Sequence, residues 1–197
     1  MAFLRMLLIP SLCLAGACGG GTRAVRGDDV EGLDYHAMST GLDKRDLQKA
    51  LHENMQAMKN SAVVQRWSQE NRPGVAALPM QNETSEHIDS ALQALITDVE
   101  TELINWGGVK VVSMQDQQQL LQEIRQQYSE GFDQTQISHW GKQVGARYFV
   151  TGKVFSTDER HEGERRVQYY LFIKVLDAET SELLFQYKTS VTKALVR

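Results

Sequence analysis

The fold is decided by the stretch Val167-Gln168-Tyr169-Tyr170-Leu171-Phe172-Ile173-Lys174-Val175, a β-rich run that ends in strict alternation of apolar and polar residues. A second run of the same kind precedes it, at Tyr148-Phe149-Val150-Thr151-Gly152-Lys153-Val154-Phe155. Aromatic and β-branched residues favour strands, and alternation is typical of a strand with one buried face. The two runs therefore predict neighbouring strands of one sheet.

Short polar segments connect these strands to each other and to a third run. Residues 158–166 are almost wholly charged, which predicts an exposed hairpin tip, and residues 177–182 predict a second turn before the apolar run at 183–191. Strands joined by short turns pair antiparallel. The last third of the chain is therefore predicted to be an antiparallel meander.

The preceding part of the chain alternates helices with short strands. Apolar side chains at helical spacing predict four helices, and short apolar runs at 75–78 and 109–112 predict two buried strands. The helical positions are Leu47, Leu51, Met55 and Met58; Ile88, Leu92, Leu95, Ile96, Val99 and Leu103; Leu120, Leu121, Ile124 and Tyr128; and Ile137, Trp140 and Val144. Helical crossovers imply parallel pairing. The sequence therefore predicts an α/β fold with a mixed sheet of about five strands, parallel and then antiparallel, flanked by about four helices.

The N-terminus has the pattern of a bacterial lipoprotein signal. Residues 1–17 contain a charged start at Arg5, an apolar centre and the small residues Gly16 and Ala17 directly before Cys18. We expect cleavage before Cys18, attachment of a diacylglyceryl group to its thiol and three acyl chains in the mature anchor, with an ordinary secretory signal as the alternative. Residues 18–41 are rich in glycine and lack apolar periodicity, which predicts a flexible tether, and residues 42–197 are predicted to form one domain.

Charge and cysteine content exclude several classes of function. The formal net charge is -4, so no basic surplus is available for binding a nucleic-acid backbone. Cys13 leaves with the signal and Cys18 is acylated, so we expect no disulfide and no thiolate for catalysis or metal binding. The five histidines show no metal-ligand spacing; they are His36, His52, His87, His139 and His161. The sequence therefore predicts no metal site.

Catalytic motifs are not found either. The sequence contains no phosphate-binding loop and no serine in a nucleophile elbow. The neighbouring carboxylates Glu100 and Glu102 fall on a helix that is simply amphipathic. We therefore expect a protein without catalytic residues, not an enzyme.

Five motifs follow one another between about Leu42 and Val191. They are Asn82-x-Thr84 after the first strand, Ile88-Asp89 before the helix, Gly107-Gly108 followed by Lys110-Val111-Val112, the strand entry Val144-Gly145-Ala146-Arg147-Tyr148-Phe149-Val150, and Asp177-x-x-Thr180-x-Glu182. In this order the motifs resemble the LpoB family of penicillin-binding-protein activators. The resemblance implies a fold like the N-terminal domain of TolB. It also implies an outer-membrane lipoprotein, without cofactor, that binds and stimulates a bifunctional penicillin-binding protein and so regulates cell-wall synthesis.

Two further expectations concern location and partner contact. Cys18 is followed by Gly19 and Gly20, with no Asp directly after the cysteine. This resembles the sorting signal of lipoproteins that are carried to the outer membrane and face the periplasm. The contact surface is not defined by the sequence; Asn82 and Thr84 are the candidate partner-binding residues, and local hydrogen bonding within their own loop is the alternative role. The domain without its anchor is expected to be monomeric.

The alternative function is a lipoprotein component of an outer-membrane secretion machine, resembling CsgG, or a periplasmic scaffold. A secretion component would form a ring and insert hairpins into the membrane. The charged hairpin at 158–166 and the short predicted strands beside it argue against insertion. Oligomeric state separates the two functions.

Overall fold

The computed structural model describes residues 40–114, 117, 122, 134–161 and 164–195. By internal contacts the chain divides into Met1–His36 and Ala37–Arg197, and all elements described below belong to the second unit. The helices are α1 (Lys44–Lys59), α2 (Ala62–Gln69), α3 (Asp89–Trp106) and α4 (Gln134–Val144). The strands are β1 (Gly74–Ala77), β2 (Gln81–Glu83), β3 (Lys110–Val112), β4 (Tyr148–His161), β5 (Glu164–Asp177) and β6 (Leu183–Leu195).

These strands form one mixed sheet in the order β3-β1-β4-β5-β6, with β2 paired to β4 beyond the end of β1. Strand β1 runs parallel to β3 and β4, and β2 also runs parallel to β4. Strands β4, β5 and β6 are antiparallel. The predicted fold class, a mixed sheet with a parallel first part and an antiparallel meander, is confirmed.

Helix α1 begins at a capping box and buries one stripe of side chains. Asp43 accepts the backbone N–H of Asp46, and the Asp46 carboxylate accepts the N–H of Asp43, which satisfies donors that a helix start leaves free. The stripe lies on β5 and β6 and contains Leu47, Leu51, Asn54, Met55 and Met58. The methionines therefore fill the core and do not form an adaptable surface groove.

Helix α3 lies between β2 and β3 in the chain, and a glycine terminates it. Gly107 adopts φ 77, a left-handed conformation that glycine takes without steric cost, and the helix stops there. The predicted apolar positions of this helix, from Leu92 to Leu103, are buried.

The core lies on both faces of the sheet. A larger cluster fills the space between the sheet and the side chains of α1, α2 and α3. A smaller cluster on the other face includes Trp140 of α4, Phe149 of β4 and Leu176 of β5. Among the described residues, this second cluster covers the part of that face next to the start of β4.

Two features differ from the sequence expectations, and one predicted helix is not described. Helix α2 was not expected; it buries Val63 and Trp67. Residues 81–83 were predicted to be loop, whereas they form β2 because their backbone groups pair with residues 153–155 of β4. The apolar positions of the third predicted helix, Leu120, Leu121, Ile124 and Tyr128, lie outside the described residues.

The hairpin strands are also longer than predicted. Most of the charged residues at 158–166 continue the β4–β5 ladder, in which Glu159 lies opposite Arg166 and forms an ion pair with it. Asp158 lies opposite Val167 and forms a diagonal ion pair with Arg165 at 2.8 Å. Because β4 and β5 each have 14 residues, short strands are no longer an argument against membrane insertion of this hairpin. The charge of residues 158–166 remains an argument against it. None of the described helices is long and apolar enough to cross a membrane.

Candidate functional site

The loop that follows β2 holds both predicted partner-binding residues. The Asn82 side chain donates to the Glu86 carbonyl oxygen at 2.8 Å, and its oxygen accepts the Thr84 N–H at 3.1 Å and the Thr84 hydroxyl at 2.8 Å. The Thr84 hydroxyl in turn accepts the Glu86 N–H at 3.0 Å. Both side chains thus hydrogen-bond within the loop, and both remain partly exposed.

This loop is connected to the N-terminal end of the domain through Tyr169. The Tyr169 hydroxyl lies 2.8 Å from Glu86 Oε1 and 3.0 Å from the Thr40 carbonyl oxygen. Burial and the hydrogen bond to Glu86 raise the pKa of Tyr169. The hydroxyl is therefore a hydrogen-bonding bridge between the loop and Thr40.

Thr40 and Gly41, which the sequence assigned to the end of the tether, lie against the sheet. The Lys193 ammonium, on a residue only 8 % exposed, is 2.9 Å from the Gly41 carbonyl oxygen. It also lies 2.6 Å from carboxylate oxygens of both Asp43 and Asp46. Burial disfavours the charged amine, but the two carboxylates outweigh it and raise the pKa of Lys193. The backbone at Thr40 and Gly41 is thus hydrogen-bonded to side chains of β5 and β6 before α1 begins.

We expect Asn82→Ala to lower the free energy of unfolding by about 1–2 kcal/mol, because it leaves the Glu86 carbonyl and the Thr84 N–H without their partner. Asn82→Asp keeps the acceptor for Thr84 but places a carboxylate oxygen against the Glu86 carbonyl oxygen, so it should also be destabilising. Urea unfolding followed by circular dichroism measures both. Equal stability of Asn82→Ala and wild type would contradict the assigned role in the loop.

A second surface is the part of the β4–β6 face that lies beyond the smaller core cluster. We call it the open face and define it by Lys153, Phe155, Tyr170, Phe172, Lys174 and Lys188, none of which belongs to either core cluster. Register places Lys153 beside Phe172, Phe155 beside Tyr170 and Phe172 beside Lys188. Aromatic rings and ammonium groups therefore alternate across three strands.

The aromatic rings of the open face are packed together beneath lysines. Phe155 stacks on Tyr170 with ring centroids 4.7 Å apart and on Phe172 at 5.5 Å. The Lys188 ammonium lies 5.2 Å from the Tyr170 centroid, and that of Lys153 lies 5.7 Å from the Phe155 centroid. Such cation–π contacts hold the ammonium groups over the rings.

No cluster of three or more His, Cys, Asp or Glu side chains suited to a metal ion occurs among the residues the structure describes. His52 lies beside Asp98 and Glu102 in a shallow cavity between α1 and α3. His87 is exposed just before the start of α3, and His139 is exposed in the middle of α4.

Comparison with known proteins assigns the chain to a family. Residues 46–191 match the family described as peptidoglycan-synthase activator LpoB. The chain belongs to the LpoB family. A search of curated proteins finds no match.

Solved structures of LpoB domains are similar to this chain. The LpoB C-terminal domain from Salmonella enterica is 17% identical, with 74% of this chain and 98% of that chain covered and a TM-score of 0.48. For the LpoB C-terminal domain from Escherichia coli the identity is 15%, the coverage is 74% and 98%, and the TM-score is 0.48. Lipoprotein GNA1162 from Neisseria meningitidis is 11% identical, with coverage of 62% and 83% and a TM-score of 0.43.

Two of the motifs that carry the LpoB resemblance meet in space. Arg147, in the strand entry 144–150, donates to the Asp177 carboxylate at 3.1 and 3.3 Å, and the Asp177 side chain is 1% exposed. The other Asp177 oxygen accepts the N–H groups of Glu179 and Thr180 at 2.8 and 3.1 Å. Thr180 then accepts the Glu182 N–H at 3.3 Å. These LpoB motif positions therefore hold the β5–β6 turn to the start of β4.

The open face was missed by the sequence analysis, although the chain carried a signal for it. In the run 167–175 the buried positions are Val167, Tyr169, Leu171, Ile173 and Val175. The intervening positions should be polar if the opposite face were simply solvated, yet two of them are Tyr170 and Phe172. Aromatic residues at the polar positions of an alternating strand could have indicated a contact surface.

Proposed function

We propose that this chain is an outer-membrane lipoprotein, anchored through acylated Cys18, that binds and stimulates a bifunctional penicillin-binding protein. The observation that carries this proposal is the match of residues 46–191 to a family of peptidoglycan-synthase activators. The lipoprotein pattern at residues 1–18 supports the anchor, and Gly19 and Gly20 support the outer membrane as its destination.

Stimulation would come from docking and not from chemistry of this chain. A protein that binds the active conformation of the synthase better than the inactive one shifts the equilibrium towards activity. Each tenfold difference in affinity between the two conformations corresponds to about 1.4 kcal/mol. The open face and the partly exposed side chains of Asn82 and Thr84 are the candidate contacts.

Reach is a physical requirement of this function. The chain between Cys18 and Thr40, where the polypeptide joins the sheet, could extend about 75 Å when taut. As a flexible coil it would average about 25 Å. We therefore propose that the partner's own periplasmic region extends towards the outer membrane to meet this domain.

The test of the proposed function is reconstitution with full-length lipoprotein and the bifunctional synthase from the same organism, both in detergent. Addition of the lipoprotein should raise the rate of glycan polymerisation several-fold, measured by consumption of labelled lipid-linked precursor. Binding without any change in rate would limit the role to a scaffold. A ring-shaped oligomer with no affinity for the synthase would favour the secretion alternative.

Cys18→Ser should abolish anchoring, because three acyl chains contribute about 0.8 kcal/mol for each buried CH2 and the serine variant carries none. We expect loss of labelled palmitate from the protein and its release from the membrane fraction. Cys13→Ser is the matched control and should label like wild type. Palmitate labelling of Cys18→Ser at the wild-type level would place the lipid elsewhere.

A further inference from the structure

A small cavity of about 140 Å³ opens on the open face between the side chains of Lys153 and Lys174. Phe172 lies in its lining, and Gln81 and Gln186 contribute amide groups from β2 and β6. Thr151 also lines it, with its hydroxyl donated to the Pro79 carbonyl oxygen at 3.1 Å. The cavity thus combines two cations, two amides and one aromatic ring.

Charge in this cavity favours an anion. Burial and the nearby Lys153 ammonium lower the pKa of Lys174, while Glu83 acts in the opposite direction. Glu83 Oε2 lies 2.8 Å from Lys153 Nζ, and both of these side chains are more than 40% exposed. A solvent-exposed ion pair of this kind contributes little, so the Lys153 ammonium can also bind another carboxylate. The sequence as a whole is acidic, with net charge -4, so this group of lysines is a local feature.

The rings beside the cavity restrict the class of ligand. Phe155 is stacked between Tyr170 and Phe172, and the lysine ammonium groups lie over the rings. Ring faces occupied in this way are not free to stack on a sugar or a base, so these rings are left to make contacts through their edges. Packed rings next to cations are suited instead to a protein surface that places an apolar side chain beside an acidic one.

We propose that the cavity between Lys153 and Lys174 binds a single Asp or Glu side chain of the partner synthase, with Phe172 and Tyr170 packed against an apolar neighbour of that residue. This inference rests on the proposed function and names the chemistry of its contact. The two ammonium groups bind the carboxylate, and the glutamine amides supply neutral donors around it.

Zero-length carbodiimide crosslinking tests the contact directly, because the reagent joins a lysine amine only to a carboxylate in contact with it. Full-length lipoprotein and the bifunctional synthase are mixed in detergent, crosslinked, digested and analysed by mass spectrometry. We expect crosslinks from Lys153 or Lys174 to one acidic segment of the synthase. Crosslinks confined to other lysines, such as those of α1, would overturn the proposal.

Binding measurements with charge variants provide the second test. Lys153→Gln and Lys174→Gln keep polar side chains of similar length, and each should weaken synthase binding by at least tenfold in Kd. Lys49→Gln is the matched control, since Lys49 is exposed on α1, which packs on the other face of the sheet, and it should bind like wild type. Circular dichroism and thermal unfolding identify any variant that fails to fold. A charge swap completes the test. Lys174→Glu should not bind the wild-type synthase, and it should bind a synthase variant in which the crosslinked acidic residue is replaced by Lys.

The outcomes separate this inference from the proposed function. If wild type does not bind or stimulate the synthase, the proposed function fails. If wild type binds and both glutamine variants bind equally well, only the carboxylate site fails. Cosedimentation of wild type with purified peptidoglycan sacculi that is lost in Lys174→Gln, together with unchanged synthase binding, would assign the cavity to the cell wall instead and overturn the proposal.

Discussion

Asp177→Ala should lower the free energy of unfolding by about 3 kcal/mol. The substitution removes the acceptor of two backbone N–H groups, those of Glu179 and Thr180, and both groups become unsatisfied. It also removes the buried partner of Arg147, whose guanidinium is 41% exposed and can be partly solvated. A loss at the lower end of the range for broken buried ion pairs is therefore expected.

The effect of Asp177 should depend on pH with a defined sign. Burial disfavours the carboxylate, but the N–H groups of Thr180 and Glu179 and the Arg147 guanidinium outweigh burial and hold the pKa of Asp177 below its usual value. A carboxyl whose pKa is lower in the folded state contributes stability above its unfolded pKa of about 3.9, and loses that contribution as the pH falls through the folded value. The difference between wild type and Asp177→Asn should therefore shrink between about pH 5 and pH 2.

Urea unfolding at a series of pH values measures this difference. Glu179→Gln is the control, because Glu179 also pairs with Arg147, at 2.7 Å, but its side chain is 64% exposed. That pair should contribute less than about 1 kcal/mol. A difference between wild type and Asp177→Asn that is the same at pH 7 and pH 3 would show that the charge of Asp177 does not stabilise the turn.

Gly152→Ala should be strongly destabilising, by about 3 kcal/mol or more, because the strand has no space for a side chain at this position. A Cβ added to Gly152 would lie 2.1 Å from the Phe172 carbonyl oxygen of the neighbouring strand. Gly152 pairs with Ile173 in the centre of the β4–β5 ladder, so relief of the collision would displace two strands. The position also lines the cavity of the open face.

Gly108→Ala is the matched control, since a Cβ there meets no atom within 4 Å. We expect its stability to lie within about 0.5 kcal/mol of wild type. Thermal unfolding and the yield of folded protein measure both variants. A melting temperature of Gly152→Ala close to that of Gly108→Ala would show that β4 and β5 can separate without loss of stability.

Local periodicity was sufficient to predict the main elements. The stripe from Leu47 to Met58 predicts α1, the stripe from Leu92 to Leu103 predicts α3, and the β-rich runs predict β4, β5 and β6. Each of these segments is long enough for its pattern to repeat several times. The short connections of the meander then determine its antiparallel pairing.

Short elements could not be predicted in the same way. Helix α2 has only eight residues, a length at which an isolated helix is marginal, so it depends on the burial of Val63 and Trp67. Strand β2 has three residues and exists because β4, about 70 positions later, supplies hydrogen-bond partners. The α2 segment places Val63 and Trp67 four positions apart, but one such pair is too short a pattern to predict a helix. Nothing within the β2 segment distinguishes it from a loop.

The sequence by itself determined the lipoprotein pattern at Cys18, the order of the long helices and strands, and the motifs that assign the chain to its family, because each depends on residues close together in the chain. Only the tertiary structure decided which surface is available. In the described part of the chain, α1 packs on β5 and β6 while α3 packs on β1 and β3, and both lie on the face that holds the larger cluster. Tyr169 is therefore buried, while Tyr170 and Phe172 lie on the open face. Neighbouring residues of a strand point to opposite faces, and packing against distant helices selects the face that is buried. The antiparallel pairing of β4 with β5 brings Lys153 and Lys174 to one cavity and Arg147 next to Asp177.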